Sequence, residues 1–173
     1  MTTKKITLLA VLIALCVVGR IVFVYIPNVQ PVSAIIIICS FFMGPVFGLI
    51  LAVGSAILTN LFLGSGIWTI FQILAWGTIG LFSGWLGVIF PNMKIKSLAF
   101  IGALLGYLYG FIVSLNMLVI ANHFLAYYLA GLPFDTYHAM GNLIFIVLLS
   151  PFLRKLLWDY REENYGYKGK RLS

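Results

Sequence analysis

Charge is what this sequence has least of: 9% of its 173 residues are Asp, Glu, Lys or Arg, against about 25% in an average soluble domain. Between Lys5 and Lys94 the one formal charge is Arg20, and between Lys96 and Arg154 it is Asp135. Stretches that long and that poor in charge belong in hydrocarbon, not in a soluble core. Catalytic signatures are missing too. No HExxH or paired-carboxylate spacing surrounds His123, His138 or Asp135, and no GxxxxGK[ST] phosphate loop occurs. Ser65 lies between two glycines in a plain turn, with no partner histidine placed by the sequence. No enzyme is therefore expected, and no metal or cofactor held by this chain. Cys16 and Cys39 both fall inside apolar runs, which argues against a disulfide framework or a thiolate metal site. The first apolar run lacks a small-residue cleavage site, and no internal repeat or low-complexity tract is present.

What is there is apolar: 62% of the residues are hydrophobic and the mean hydropathy is +1.10. A helix crosses the hydrocarbon core in roughly 20 residues, so the chain before Lys94 holds four crossings and the chain after Lys96 two. The expected fold is an all-α integral membrane protein, a bundle of about six transmembrane helices. It forms one membrane domain over residues 1–158, followed by a frayed polar tail over 159–173. Apart from Arg20, the basic residues cluster at Lys4/Lys5, at Lys94/Lys96 and from Arg154 onward. Such clusters mark the cytoplasmic side. Four plus two crossings bring all three to that side, with the N and C termini both cytoplasmic.

Prolines and glycines punctuate the spans. Helices are expected over 6–26, 32–42, 46–63, 67–90, from 97, and over 136–158. An outer loop bracketed by Pro27 and Pro31 follows the first, and an outer segment over 124–135, with a turn at Gly131-Leu132-Pro133, precedes the last. Rows of small residues at four-residue spacing, Gly44/Gly48/Ala52/Ala56 and Gly102/Gly106/Gly110, with Gly80 and Gly84, predict close helix contacts.

With that topology, the polar side chains within or beside helices fall in the outer half: Arg20, Asn28, Gln30, Asn60, Gln72, Asn116, Asn122, His123, Asp135, His138 and Asn142. A conduction path would need polar groups at several depths, so the asymmetry describes a pocket open outside and sealed below. Arg20, about 21 Å along its helix, either snorkels to head groups or pairs with Asp135 or a ligand. Trp68, Gln72 and Trp76 share one helix face. An interfacial aromatic belt accounts for Trp68 but poorly for Trp76, which lies about 12 Å deeper. An amide between two indoles suits a flat amphipathic ligand. Asn60 serves equally as a ligand contact or as a bond to a neighbouring helix.

The chain resembles, over essentially its full length, the substrate-binding S-components of energy-coupling factor (ECF) transporters. The residues that carry this are Ala10-x-x-x-Ala14 on helix one, Gly19-Arg20, Pro27-Asn28-Val29-Gln30-Pro31, the segment Asn60 to Thr69 with Gln72 and Ala75-Trp76-Gly77, and Leu132-Pro133-Phe134-Asp135 with His138. Within that family the segments look like the branch for cobalamin and its precursor alpha-ribazole. The resemblance implies a bacterial plasma-membrane subunit of a vitamin importer. Its substrate would meet Arg20, Asn28, Gln30, Asn60, Trp68, Gln72, Trp76, Asn116, Asp135, His138 and Asn142, and the first outer loop would close over it. Ala10 and Ala14 would dock on a transmembrane coupling (T) subunit, two partner ATPases would use ATP, and the loaded subunit would topple in the bilayer. The alternatives are another vitamin (pantothenate, riboflavin or a thiamine precursor) and, in a different class, a non-transport membrane assembly subunit. No nucleic-acid partner is implied.

Overall fold

The computed structural model describes residues 2–121 and 123–165, without the side chains of 159 and 161–165. Among these residues the chain is helical, with no strand: α1 Thr3–Val22, α2 Val32–Met43, α3 Pro45–Leu63, α4 Ile67–Ile89, α5 Ile95–Ser114, α6 Asn116–Ile120 and α7 Phe124–Tyr165. Five segments are long and apolar enough to cross a membrane, α5 and α6 together forming one of them, and α2 is a sixth, shorter apolar helix.

The shortness of α2 organises the molecule. Its 12 residues rise about 18 Å, against the roughly 30 Å of a hydrocarbon core. Every residue from Val32 to Phe41 is buried, because α1, α3, α4, α5 and α7 all pack around it. Such a helix is hydrophobic on all sides. The row Ile35, Ile36, Ile37 and Ile38 fits that rule, each residue being at most 1% exposed. α2 ends at Gly44, whose φ of +92° favours glycine, and Pro45 opens α3, where a missing N–H costs nothing.

The small-residue rows are packing seams, as expected. A Cβ on Gly48 would meet the Gly80 carbonyl at 2.7 Å, and one on Gly80 would meet the Gly48 carbonyl at the same distance, so α3 and α4 cross backbone to backbone. Gly84 abuts Pro45, and Gly87 abuts the Phe41 carbonyl. On the other side α5 lies along α7, with Gly102 against Ile146 and Gly106 against the Ala139 backbone.

Several boundaries differ from expectation. α1 ends at Val22, not at 26, and residues 23–30 turn back on the bundle, where the Pro31 ring abuts Gly19. The segment 124–135 is not an outer loop. Gly131-Leu132-Pro133 lies inside α7, and Pro133 is carried within the helix. Here the Thr136 hydroxyl donates to the Leu132 carbonyl (2.9 Å) and the Asn28 amide to the Phe134 carbonyl (2.8 Å). These bonds tie the segment around Pro133 to the rest of α7 and to the loop before α2. Helix five breaks at Leu115, where the Asn116 amide donates to the Val113 carbonyl at 2.6 Å. Of the expected tail, residues 159–165 continue α7, while 166–173 and Asn122 lie outside the described residues.

Candidate functional site

Because α2 starts low, a space opens above its first turn, and the ends of the surrounding helices wall it. The cavity measures about 560 Å³ and is lined by Arg20, Pro27, Asn28, Gln30, Gln72, Trp76, Tyr109, Gly110, Val113, Ser114, Tyr127, Ala130, Gly131, Phe134, Asp135 and His138. Sites for small organic ligands span about 300–1,000 Å³ and combine apolar walls with a few polar groups.

One wall is a continuous aromatic stack. The Arg20 guanidinium lies over the Trp76 ring at 5.2 Å, Trp76 leans on Tyr109 at 5.1 Å, and Tyr109 stacks on His138 at 4.8 Å with planes 5° apart. Hydrogen bonds fix this wall from below. Trp76 Nε1 donates to Ser33 Oγ at 2.8 Å, and His138 Nε2 lies 2.9 Å from the same oxygen. Ser33, in the first turn of α2, thus ties α4 to α7. Gln72 and Tyr109 line the cavity together.

A second layer holds Arg20. Its Nη1 donates to Thr59 Oγ1 at 2.7 Å and to Asn60 Oδ1 at 3.0 Å, while its Nε has no partner. Asn60 in turn donates to Gln72 Oε1 at 2.6 Å and to Thr69 Oγ1 at 3.0 Å. Of the three expectations for Arg20, two are not met: it does not snorkel away from the bundle, and it is not paired with Asp135; a ligand partner is the remaining one. It points into the cavity from a hydroxyl and an amide. On the far wall Asp135 is 6% exposed, and its Oδ2 has no hydrogen-bond partner.

The loop between α1 and α2 closes one side. Asn28 adopts φ +56°, the left-handed region that asparagine tolerates better than most residues. From there its amide reaches the Phe134 carbonyl.

Of the residues singled out from the sequence, Arg20, Asn28, Gln30, Gln72, Trp76, Asp135 and His138 line one cavity. Asn60 stands behind it as a positioning residue. Trp68, 43% exposed, lies outside it with its ring over Gly66. Asn116 braces the break after α5, and Asn142 donates to the Gly102 carbonyl at 3.1 Å, joining α7 to α5. His123 is exposed and does not line the cavity. Ala10 and Ala14 are exposed on α1. Sequence reasoning missed Ser33, Tyr109, Ser114 and Tyr127. For Tyr109 a signal existed, since Gly106 and Gly110 leave its helix without bulk on either side.

Across its residues 4–159 the chain matches the family described as ECF transporter, substrate-specific component. The chain belongs to this family. Comparison with curated proteins and with solved structures returned no match. As an S-component it is the part of a membrane complex that binds a small-molecule substrate, beside a coupling subunit and ATPase subunits. That role replaces the assembly-subunit alternative.

Proposed function

We propose that this S-component captures a cobalamin-related vitamin, the nucleoside alpha-ribazole in preference to whole cobalamin, and that the cavity above α2 is its binding site. The observation that carries the reading is the cavity of about 560 Å³ backed by the Trp76–Tyr109–His138 wall. A flat benzimidazole stacks on such a wall, and a ribose reaches the polar groups of Asn28, Gln30 and Asp135. A complete corrin macrocycle with its nucleotide tail exceeds this volume.

Charge placement supports the direction of uptake. Lys5 lies over the Phe47 ring at 5.8 Å, and Phe47, the Gly44–Pro45 turn and the Gly87 end of α4 share the bundle end opposite the cavity. Lys94 and Lys96 follow directly at the start of α5. With basic clusters inside, both termini are cytoplasmic and the cavity opens outward from a bacterial plasma membrane. Delivery then proceeds by toppling against a T subunit that meets Ala10 and Ala14 and is energised by two ATPases.

The test is titration of the purified chain with alpha-ribazole, cobalamin, pantothenate, riboflavin and thiamine by calorimetry. Alpha-ribazole at micromolar affinity or better, with cobalamin at least ten-fold weaker, is the expected result. Absence of binding across the panel refutes the vitamin reading. The Arg20 guanidinium, which lines the cavity and is held by a hydroxyl and an amide, favours one second reading, a carboxylate-bearing vitamin such as pantothenate.

A further inference from the structure

Two opposite charges face one cavity without meeting. Arg20 is anchored on its own wall by Thr59 and Asn60, and Asp135, on α7, leaves Oδ2 unpartnered although the residue is 6% exposed. Tyr109 lines the same cavity. The fold leaves room for the carboxylate: a Cβ on Gly110 would run directly into it, so this glycine keeps the α5 backbone flush against Asp135. A carboxylate removed from water without a partner costs several kcal/mol, and a buried acceptor left unsatisfied is normally the exception. A bound ligand carrying donors can reach the carboxylate from the cavity that Asp135 lines, and the same ligand can offer an acceptor to the Arg20 guanidinium on the aromatic wall.

We infer that Asp135 receives the donor end of the ligand and Arg20 its acceptor end, so that the site selects flat heteroaromatic molecules whose polar donors lie at one end and whose acceptor lies at the other. This rests on reading the chain as a vitamin-binding S-component with the cavity above α2 as its site. Carboxylate capture of vicinal sugar hydroxyls has the chemistry by which an acidic side chain holds a ribose in dinucleotide folds. A protonated ring or an amino group would satisfy the same oxygen. Arg20 cannot exchange roles with Asp135, because a guanidinium has donors only.

The experiment uses the full chain in detergent, titrated by calorimetry with three probes. Alpha-ribazole supplies donors as hydroxyls, thiamine supplies them on an amino group and a cationic ring, and the N-methylated base of alpha-ribazole keeps the flat ring but has no donor. Asp135→Asn should weaken whichever donor-bearing probe the wild type binds by about ten-fold or more, the loss expected for a hydrogen bond to a charged group, and should change the N-methylated base by less than about two-fold. Asp135→Ser is the second variant should the first not fold, with melting temperature as the check. If the wild type binds a donor-bearing probe and both variants bind it equally well, the inference is overturned while the vitamin reading stands. If the wild type binds another vitamin of the panel, the same ten-fold loss is required of that ligand. If it binds none, the vitamin reading falls and takes the inference with it.

Discussion

At the scale of single residues, the site depends on side chains that never touch the cavity. Asn60 holds Arg20 with its oxygen and Gln72 and Thr69 with its nitrogen. Asn60→Ala removes one of the two anchors of a guanidinium whose Nε is already free, and a bond to a charged group is worth about 1.5–3 kcal/mol. Ligand affinity should fall about ten-fold by calorimetry, with the melting temperature moving much less than for a core truncation. Gly131 offers the complementary test. It lines the cavity, and a Cβ there would meet nothing within 4 Å. Gly131→Leu should therefore fill the cavity and abolish binding while leaving the fold intact, helped by about 1 kcal/mol of helix propensity. A variant that binds normally would show that the ligand lies elsewhere. The polar residues were legible in the sequence because a charge or amide inside an apolar run is conspicuous. Ser33 was not, since nothing in an isoleucine-rich helix start marks one serine as special, and only the meeting of α4 and α7 above it reveals its two partners.

At the scale of helices, small-residue spacing translated directly into crossings. Gly106 faces the Ala139 backbone, 2.8 Å from an added Cβ, and a backbone neighbour cannot rotate away. Gly106→Val should push α5 from α7 and cost at least the 1–3 kcal/mol typical of overpacking, measured as a lower melting temperature together with lost binding, because Tyr109 stacks on His138 across that seam. α1 predicts the opposite pattern. Ala10 and Ala14 are exposed, beside exposed Val11, Leu15 and Val18, and contribute nothing to the cavity. Ala14→Trp should leave ligand affinity unchanged and eliminate uptake in cells, if that face meets a coupling subunit. Helix existence was readable from hydropathy, whereas the ends were not. Pro133 and Gly131 carry the composition of a turn, yet α7 runs through both, and the contact of Asn28 with the Phe134 carbonyl comes from a residue far away in the sequence.

At the scale of the whole molecule, the polar cavity and the basic clusters occupy opposite ends, which makes orientation a single measurable quantity. Cys16 and Cys39 are both fully buried, so a membrane-impermeant maleimide should find little to modify in the native chain. Ser65→Cys, in the exposed loop between α3 and α4 at the cavity end, should react in intact cells. Lys94→Cys, in the exposed loop between α4 and α5 at the other end, should react only after permeabilisation. Placing the basic clusters inside demands this outcome, because Ser65 and Lys94 lie at opposite ends of α4, the one span between them. Should the pattern invert, with Lys94→Cys reacting in intact cells and Ser65→Cys only after permeabilisation, the cavity faces the cytoplasm. The outward cavity, the docking face on α1 and the low cost of moving an apolar inner half through lipid would then lose their common basis.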